Sequence, residues 1–361
     1  MNIFNIKYFL SKMKKAVFLT LALAISQLLP AQNFSSLSSL KSGTERVGFK
    51  TFRLKTKSGE DILVSLWYPA ESGGKQMTLR DYVVSSSMDE HAPDTVALNK
   101  FKSILELPFL FHLDPIPVDV YNNALSISAH AWRNAPMQKK RFPLIVGFGA
   151  EGYIVSNEFF ASQGYCVATI RINNEDVTDD HLYYVKPTAV LGEFLDYMCK
   201  NPFIDTAHIA AMGHGWGIQA PFYLSMKSSK IKQLINLDGG VFVPRSKTTL
   251  SPDYVPSQLR IPMLQITTVS TRQEEDLNQL NALTNRIYRI NISSDSVLHH
   301  DFTTYGRVVG EVLGKRPSMP LIDSTFNEVH RLILYFLKND QIDSSAINKK
   351  LVTFSSTPVV R

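Results

Sequence analysis

Met212-Gly213-His214-Gly215-Trp216-Gly217-Ile218-Gln219-Ala220 is the stretch on which the reading of this 361-residue chain turns. It follows an apolar run, His208-Ile209-Ala210-Ala211-Met212, and opens a helical pattern that continues from Trp216 to Met226. Glycines at alternate positions between a strand-like run and a helix-like one mark a tight turn, because glycine adopts backbone conformations that side chains disfavour. A strand ending in such a turn presents the apical residue, here Gly215, at the carboxyl edge of a sheet. That edge is where ligands bind in open α/β sheets.

The rest of the chain supplies the sheet. Residues 47–56 and 61–69 alternate in polarity around Lys57-Ser58-Gly59-Glu60 and predict a hairpin. Phe142–Phe148 is a near-continuous apolar run, as expected of a strand buried on both faces. A helix follows, with Ser156 as its cap and Gly164 as its stop, and then a strand over 165–172. Residues 187–201 have helical spacing, and 231–237, 262–269 and 286–292 read as further strands. Residues 326–339 form a strongly amphipathic helix. A hairpin followed by repeated strand–helix units predicts an α/β fold with a mostly parallel sheet covered on both faces. The segment 70–140 breaks the rhythm and reads as an insertion of helices and loops, helical over 94–105 and again over 120–132. The expected organisation is a leader over 1–31, one domain over 32–338 and a tail over 339–361.

The leader carries Lys7, Lys12, Lys14 and Lys15 ahead of a short apolar core and a small residue, Ala31. That is the pattern of a cleaved secretory signal, too short for a comfortable membrane span, and it implies a secreted or periplasmic protein. Its four lysines account for most of the formal charge of +6, which falls to +2 without them. No basic block interleaved with aromatics points to nucleic acid. Cys166 and Cys199 are far apart and read as free thiols. No ligand cluster in the sequence predicts a metal or cofactor.

In this setting the chain resembles the α/β hydrolases, and more narrowly the secreted bacterial proteins similar to platelet-activating-factor acetylhydrolase and dienelactone hydrolase. The resemblance runs over about residues 45–338. It rests on Leu66-Trp67-Tyr68-Pro69-Ala70, residues 147–153, Ala161-Ser162-Gln163-Gly164-Tyr165, residues 212–217, Leu237-Asp238-Gly239-Gly240 and His299-His300-Asp301-Phe302, in that order. It implies a nucleophile elbow at residues 213–217 and a triad in chain order nucleophile, acid, base. The nucleophile position falls on Gly215, the acid on Asp238 and the base on His299, with His300 as runner-up. Glu274, Glu275 and Asp276 stand where other α/β hydrolases carry their acid. The implied oxyanion donors are the N–H of Trp216 and one from the 148–150 loop, centred on Gly149.

Glycine at the elbow relieves a strained backbone but supplies no Oγ, so no acyl-enzyme can form there. Three readings follow. The chain is a pseudo-hydrolase that binds an ester, lipid or similar ligand, or a partner protein. Or it is an enzyme whose Asp238–His299 pair acts through water or directly on substrate. Or it is an esterase with a displaced serine, which ranks last because Ser225, Ser228 and Ser229 lie too far along the following helix. The apolar residues 107–113 suit an acyl-bearing ligand. The oligomeric state stays open.

Overall fold

The computed structural model describes residues 37, 39–89, 91–107, 115–148, 151–172 and 184–356. The leader, Gly149 and residues 108–113 lie outside them.

Among the described residues eleven strands form one sheet, in the order β11-β10-β9-β8-β7-β5-β6-β2-β1-β4-β3. β1 (Arg46–Lys55) and β2 (Asp61–Ala70) are the expected hairpin, in register from Arg46↔Ala70 to Lys55↔Asp61. β5 (Phe142–Phe148), β6 (Cys166–Ile172), β7 (Ile204–His214), β8 (Gln233–Leu237), β9 (Met263–Thr267) and β10 (Ile287–Ile292) run parallel to one another. The chain leaves β5 for β6 on one side and returns to β7 on the other. The switch point of the sheet therefore lies between β5 and β7, where a crevice opens at the strands' carboxyl ends.

In order, the helices are α1 (Leu79–Ser85), α2 (Asp94–Leu105), α3 (Val118–Leu125), α4 (Ile154–Ser162), α5 (Val185–Met198), α6 (Gln219–Lys227), α7 (Val269–Glu274), α8 (Leu277–Asn281), α9 (Thr304–Arg307) and α10 (Met319–Asn339). Alternate strand residues point to opposite faces, so Ile145 joins one core while Leu144 and Val146 join the other. The first core takes in Phe160 of α4 and Phe326, Ile333 and Phe336 of α10. The second takes in Phe194 of α5 and Phe222 of α6. Each such fully buried side chain contributes about 1.5–3 kcal/mol of transfer free energy.

Three local expectations need correction. Residues 120–132 are not one helix: α3 ends at Leu125, and Ser128–Arg133 form β4, parallel to β1 and antiparallel to β3 (Lys75–Thr78). The segment 70–140 is thus more than helices and loops, because it extends the sheet edge and buries Ile127, Ala129 and Ala131 in doing so. The stretch beyond 339 holds β11 (Val352–Ser356), which pairs antiparallel with β10 and covers that edge. Ser156 does not cap α4, which begins two residues earlier; its hydroxyl is buried against His330 Nε2 at 2.7 Å. Gly164, with φ +98°, does end the turn after α4. Cys166 and Cys199 are both free, and burial pushes the Cys166 thiol up to about 12. Among the described residues no helix is long and apolar enough to cross a membrane.

Candidate functional site

The site is assembled at the carboxyl ends of β7, β8 and β9 and in the loop after β10. β7 ends at His214, and Gly215–Ile218 make one tight turn before α6 begins at Gln219. The turn doubles back closely: a Cβ on Gly213 would lie 2.4 Å from Ile218 Cα and 2.7 Å from Gly217 O. Gly215 at the apex has φ +55°, in the left-handed region that side chains disfavour. Both features explain why glycine occupies these two positions.

Asp238 follows β8 and also has positive φ, at +47°. Aspartate tolerates that conformation better than most residues. Its carboxylate is fully buried and held from three directions. The Thr268 N–H donates to Oδ1 at 2.6 Å, the Thr268 hydroxyl donates to Oδ2 at 3.1 Å, and His299 Nδ1 lies 2.7 Å from Oδ2. A carboxylate accepts, so His299 carries its proton on Nδ1 and leaves Nε2 as an acceptor. The His299 side chain is 31% exposed, and its Nε2 lies 2.9 Å from the point a Cβ on Gly215 would occupy. The imidazole therefore stands directly over the apex of the turn.

His214 ties the turn to the His299 loop. Its Nε2 lies 3.0 Å from the His299 carbonyl, which can only accept, so the proton is on Nε2. Its Nδ1 then accepts from the Tyr153 hydroxyl at 3.0 Å. The two imidazoles stack at 4.0 Å between centroids. Burial, and then the neighbouring His299, hold His214 well below the ordinary histidine range, in its neutral form.

His300 is not the residue that meets Asp238. Its ring stands edge-on to His299 at 5.0 Å, and burial, followed by the neighbouring His299, pushes it down to about 4. The three other acids serve elsewhere. Glu274 pairs with Arg245 at 3.2 Å, and Asp276 caps α8. Glu275 is buried between Arg289 and Gln265, each at 2.7 Å, and burial raises its pKa. Trp216 follows the apex with its side chain 56% exposed, while Gly149 lies outside the described residues.

His214, Asp238 and His299 offer ligand-type atoms within 4.8 Å of one another. Most of those atoms are already engaged: both His214 nitrogens have partners and the Asp238 oxygens face Thr268 and His299, which leaves His299 Nε2 as the one bare lone-pair donor. As folded, the group is a hydrogen-bond network and would have to come apart to hold an ion.

The sequence pattern brings Gly215, Asp238 and His299 together but misses Thr268 and Tyr153. A polar pair at the exit of β9, Thr267-Thr268, was the available signal for the first. Nothing in the sequence signals the second.

No protein-family profile matches the chain, and no curated protein matches it. Solved structures do. The ferulic acid esterase from Streptomyces cinnamoneus aligns with a TM-score of 0.59 at 16% identity, over 90% of this chain and 99% of that one. The fold is the α/β-hydrolase fold. The acylaminoacyl peptidase from Pyrococcus horikoshii aligns at 12% identity with a TM-score of 0.47, and this chain spans 44% of its length.

Proposed function

We propose that this protein is an α/β-hydrolase-fold relative of esterases and lipases that works without a serine acyl-enzyme, as an exported protein binding an ester, lipid or similar small ligand over the elbow. One observation carries the reading: His299 Nε2 lies 2.9 Å from the Cβ point of Gly215. The base sits against the apex, in space that a nucleophilic side chain would need. The Trp216 N–H would then face the ligand's carbonyl, giving polar recognition without covalent capture. The subfamily reading, similar to platelet-activating-factor acetylhydrolase and dienelactone hydrolase, rests on the sequence pieces alone.

A second reading is favoured by the completeness of the Asp238–His299 pair. A buried carboxylate with two Thr268 bonds, holding an imidazole whose Nε2 accepts, is the arrangement of a general base. In that reading His299 takes a proton from water or from substrate, with no covalent step. Short acyl esters offered to the purified protein and to a His299→Ala variant separate the two. No turnover, with a ligand-dependent rise in Tm, supports the binder. Turnover abolished in His299→Ala supports the water-activating enzyme. Turnover retained in His299→Ala contradicts both.

A further inference from the structure

At the opposite edge of the sheet, the amino ends of β7 to β10 border a groove of about 640 Å³. Lys232, Arg260, Arg286 and Lys338 line it. Among the described residues Arg260 and Lys338 form no ion pair. Lys232 donates to the Ser229 carbonyl at 2.7 Å and Arg286 to the Tyr288 hydroxyl at 3.3 Å, and neither of these acceptors is a carboxylate. The one acid in the lining, Asp340, accepts from Gln233 at 2.7 Å. Like charges gathered around one concavity repel each other, and an anion placed among them relieves that repulsion.

A second observation comes from Asn285, which lines the same groove and is 5% exposed. Its Nδ2 donates to the Ile261 carbonyl at 2.7 Å, which fixes the amide's orientation. That leaves Oδ1 buried without a partner. Buried acceptors are normally satisfied, so this one calls for a donor. Thr284 adds a hydroxyl beside it. The one ring in the lining is the imidazole of His208, paired with Asp205 at 2.7 Å, and no phenylalanine, tyrosine or tryptophan accompanies it, so a nucleobase finds no broad platform to stack on.

We propose that this groove binds an anionic carbohydrate, its carboxylate or phosphate held by Arg260, Arg286, Lys232 and Lys338 and a hydroxyl donating to Asn285 Oδ1. The site is separate from the one over Gly215, since the two lie at opposite ends of the same strands, and it stands whichever reading of that site holds.

Isothermal titration of the full chain tests it, with a galacturonate trimer, a hexose phosphate, inorganic phosphate and a neutral trisaccharide as probes, at low and high salt. Binding of the trimer or the hexose phosphate is expected, weakening with salt, with the neutral sugar inert and inorganic phosphate at least about tenfold weaker. An Arg260→Ala/Arg286→Ala variant, altered only at exposed positions, should lose about tenfold or more. Tighter binding of the trimer assigns a uronate polymer, and tighter binding of the hexose phosphate a small sugar phosphate. No binding of either, binding equal to that of inorganic phosphate, or binding indifferent to the double variant overturns the proposal.

Discussion

Thr268 donates twice to Asp238, through its backbone N–H to Oδ1 and through its hydroxyl to Oδ2, at 2.6 and 3.1 Å. The same hydroxyl accepts from the Thr271 N–H at the start of α7. One side chain thus holds the buried acid and caps the next helix. Replacing it with valine removes both contacts and leaves Oδ2 with His299 alone. Thr268→Val should cost about 1.5–3 kcal/mol in urea unfolding, while Thr268→Ser should lose much less. A Thr268→Val protein as stable as the wild type, or less affected than Thr268→Ser, would contradict the role given to the hydroxyl.

The hydrogen bond at 2.7 Å between His299 and Asp238 fixes a tautomer. Nitrogen-15 shifts of the imidazole should report the proton on Nδ1 and a bare Nε2 in the neutral protein. In Asp238→Ala the signals should move toward a mixture of tautomers. A wild-type ring protonated on Nε2 would contradict the pairing.

His330 gives the acid limb of stability. It is fully buried, its Nδ1–H donates to the Phe326 carbonyl at 2.8 Å, and its Nε2 accepts from Ser156 at 2.7 Å. Burial, opposed by the Phe326 carbonyl and reinforced by Arg307, pushes it down to about 4. In the unfolded chain it titrates near 6.5. Above that pH both states are neutral and the group contributes nothing. As the pH falls through 6.5 toward 4, only the unfolded chain takes up the proton, so stability drops, by up to about 3 kcal/mol. His330→Gln should be less stable at pH 7 yet fall less steeply between pH 6.5 and 4.5. His214 and His300 are also depressed, but they are present in both proteins and cancel in the difference. Parallel pH curves would contradict this.

Covering the β10 edge matters as well. Val352 is fully buried, and β11 pairs with Tyr288 to Ile292 in register. Removing residues 349–361 should lower Tm and expose an apolar strand edge that self-associates. Unchanged Tm and a sharp monodisperse profile would make β11 dispensable.

What could be read from the sequence follows from periodicity and separation. Long apolar runs such as Phe142–Phe148 and the spacing in α10 identify themselves, because their burial is uniform or regular. β4 does not, since its inward residues are the small alanines Ala129 and Ala131, which suit a helix equally well. Its partner β1 lies some eighty residues earlier, and no local signal carries that pairing. The same holds at the site. Gly215, Asp238 and His299 each end a recognisable strand or follow one, so their order betrays them. The supports given by Thr268 and Tyr153 cross between separate strand ends, and only the folded chain brings them together.

Gly215 links stability and chemistry. Its φ of +55° disfavours any side chain, and a Cβ there would crowd His299 Nε2 at 2.9 Å. Gly215→Ala and Gly215→Ser should each lose about 1–3 kcal/mol in chemical denaturation. In both, the His299 ring must withdraw by a few tenths of an ångström, as perturbed imidazole resonances would report. Unchanged stability would count against the strained apex.

Labelling with a fluorophosphonate, which reacts covalently with activated serines, followed by intact-protein mass spectrometry, goes to the central claim that this cleft retains its acid and base but has no nucleophile. The account predicts that the wild-type protein stays unmodified, and that Gly215→Ser gains a single adduct, lost again when His299 is also changed to alanine. A stoichiometric adduct on a serine of the wild-type protein would contradict it.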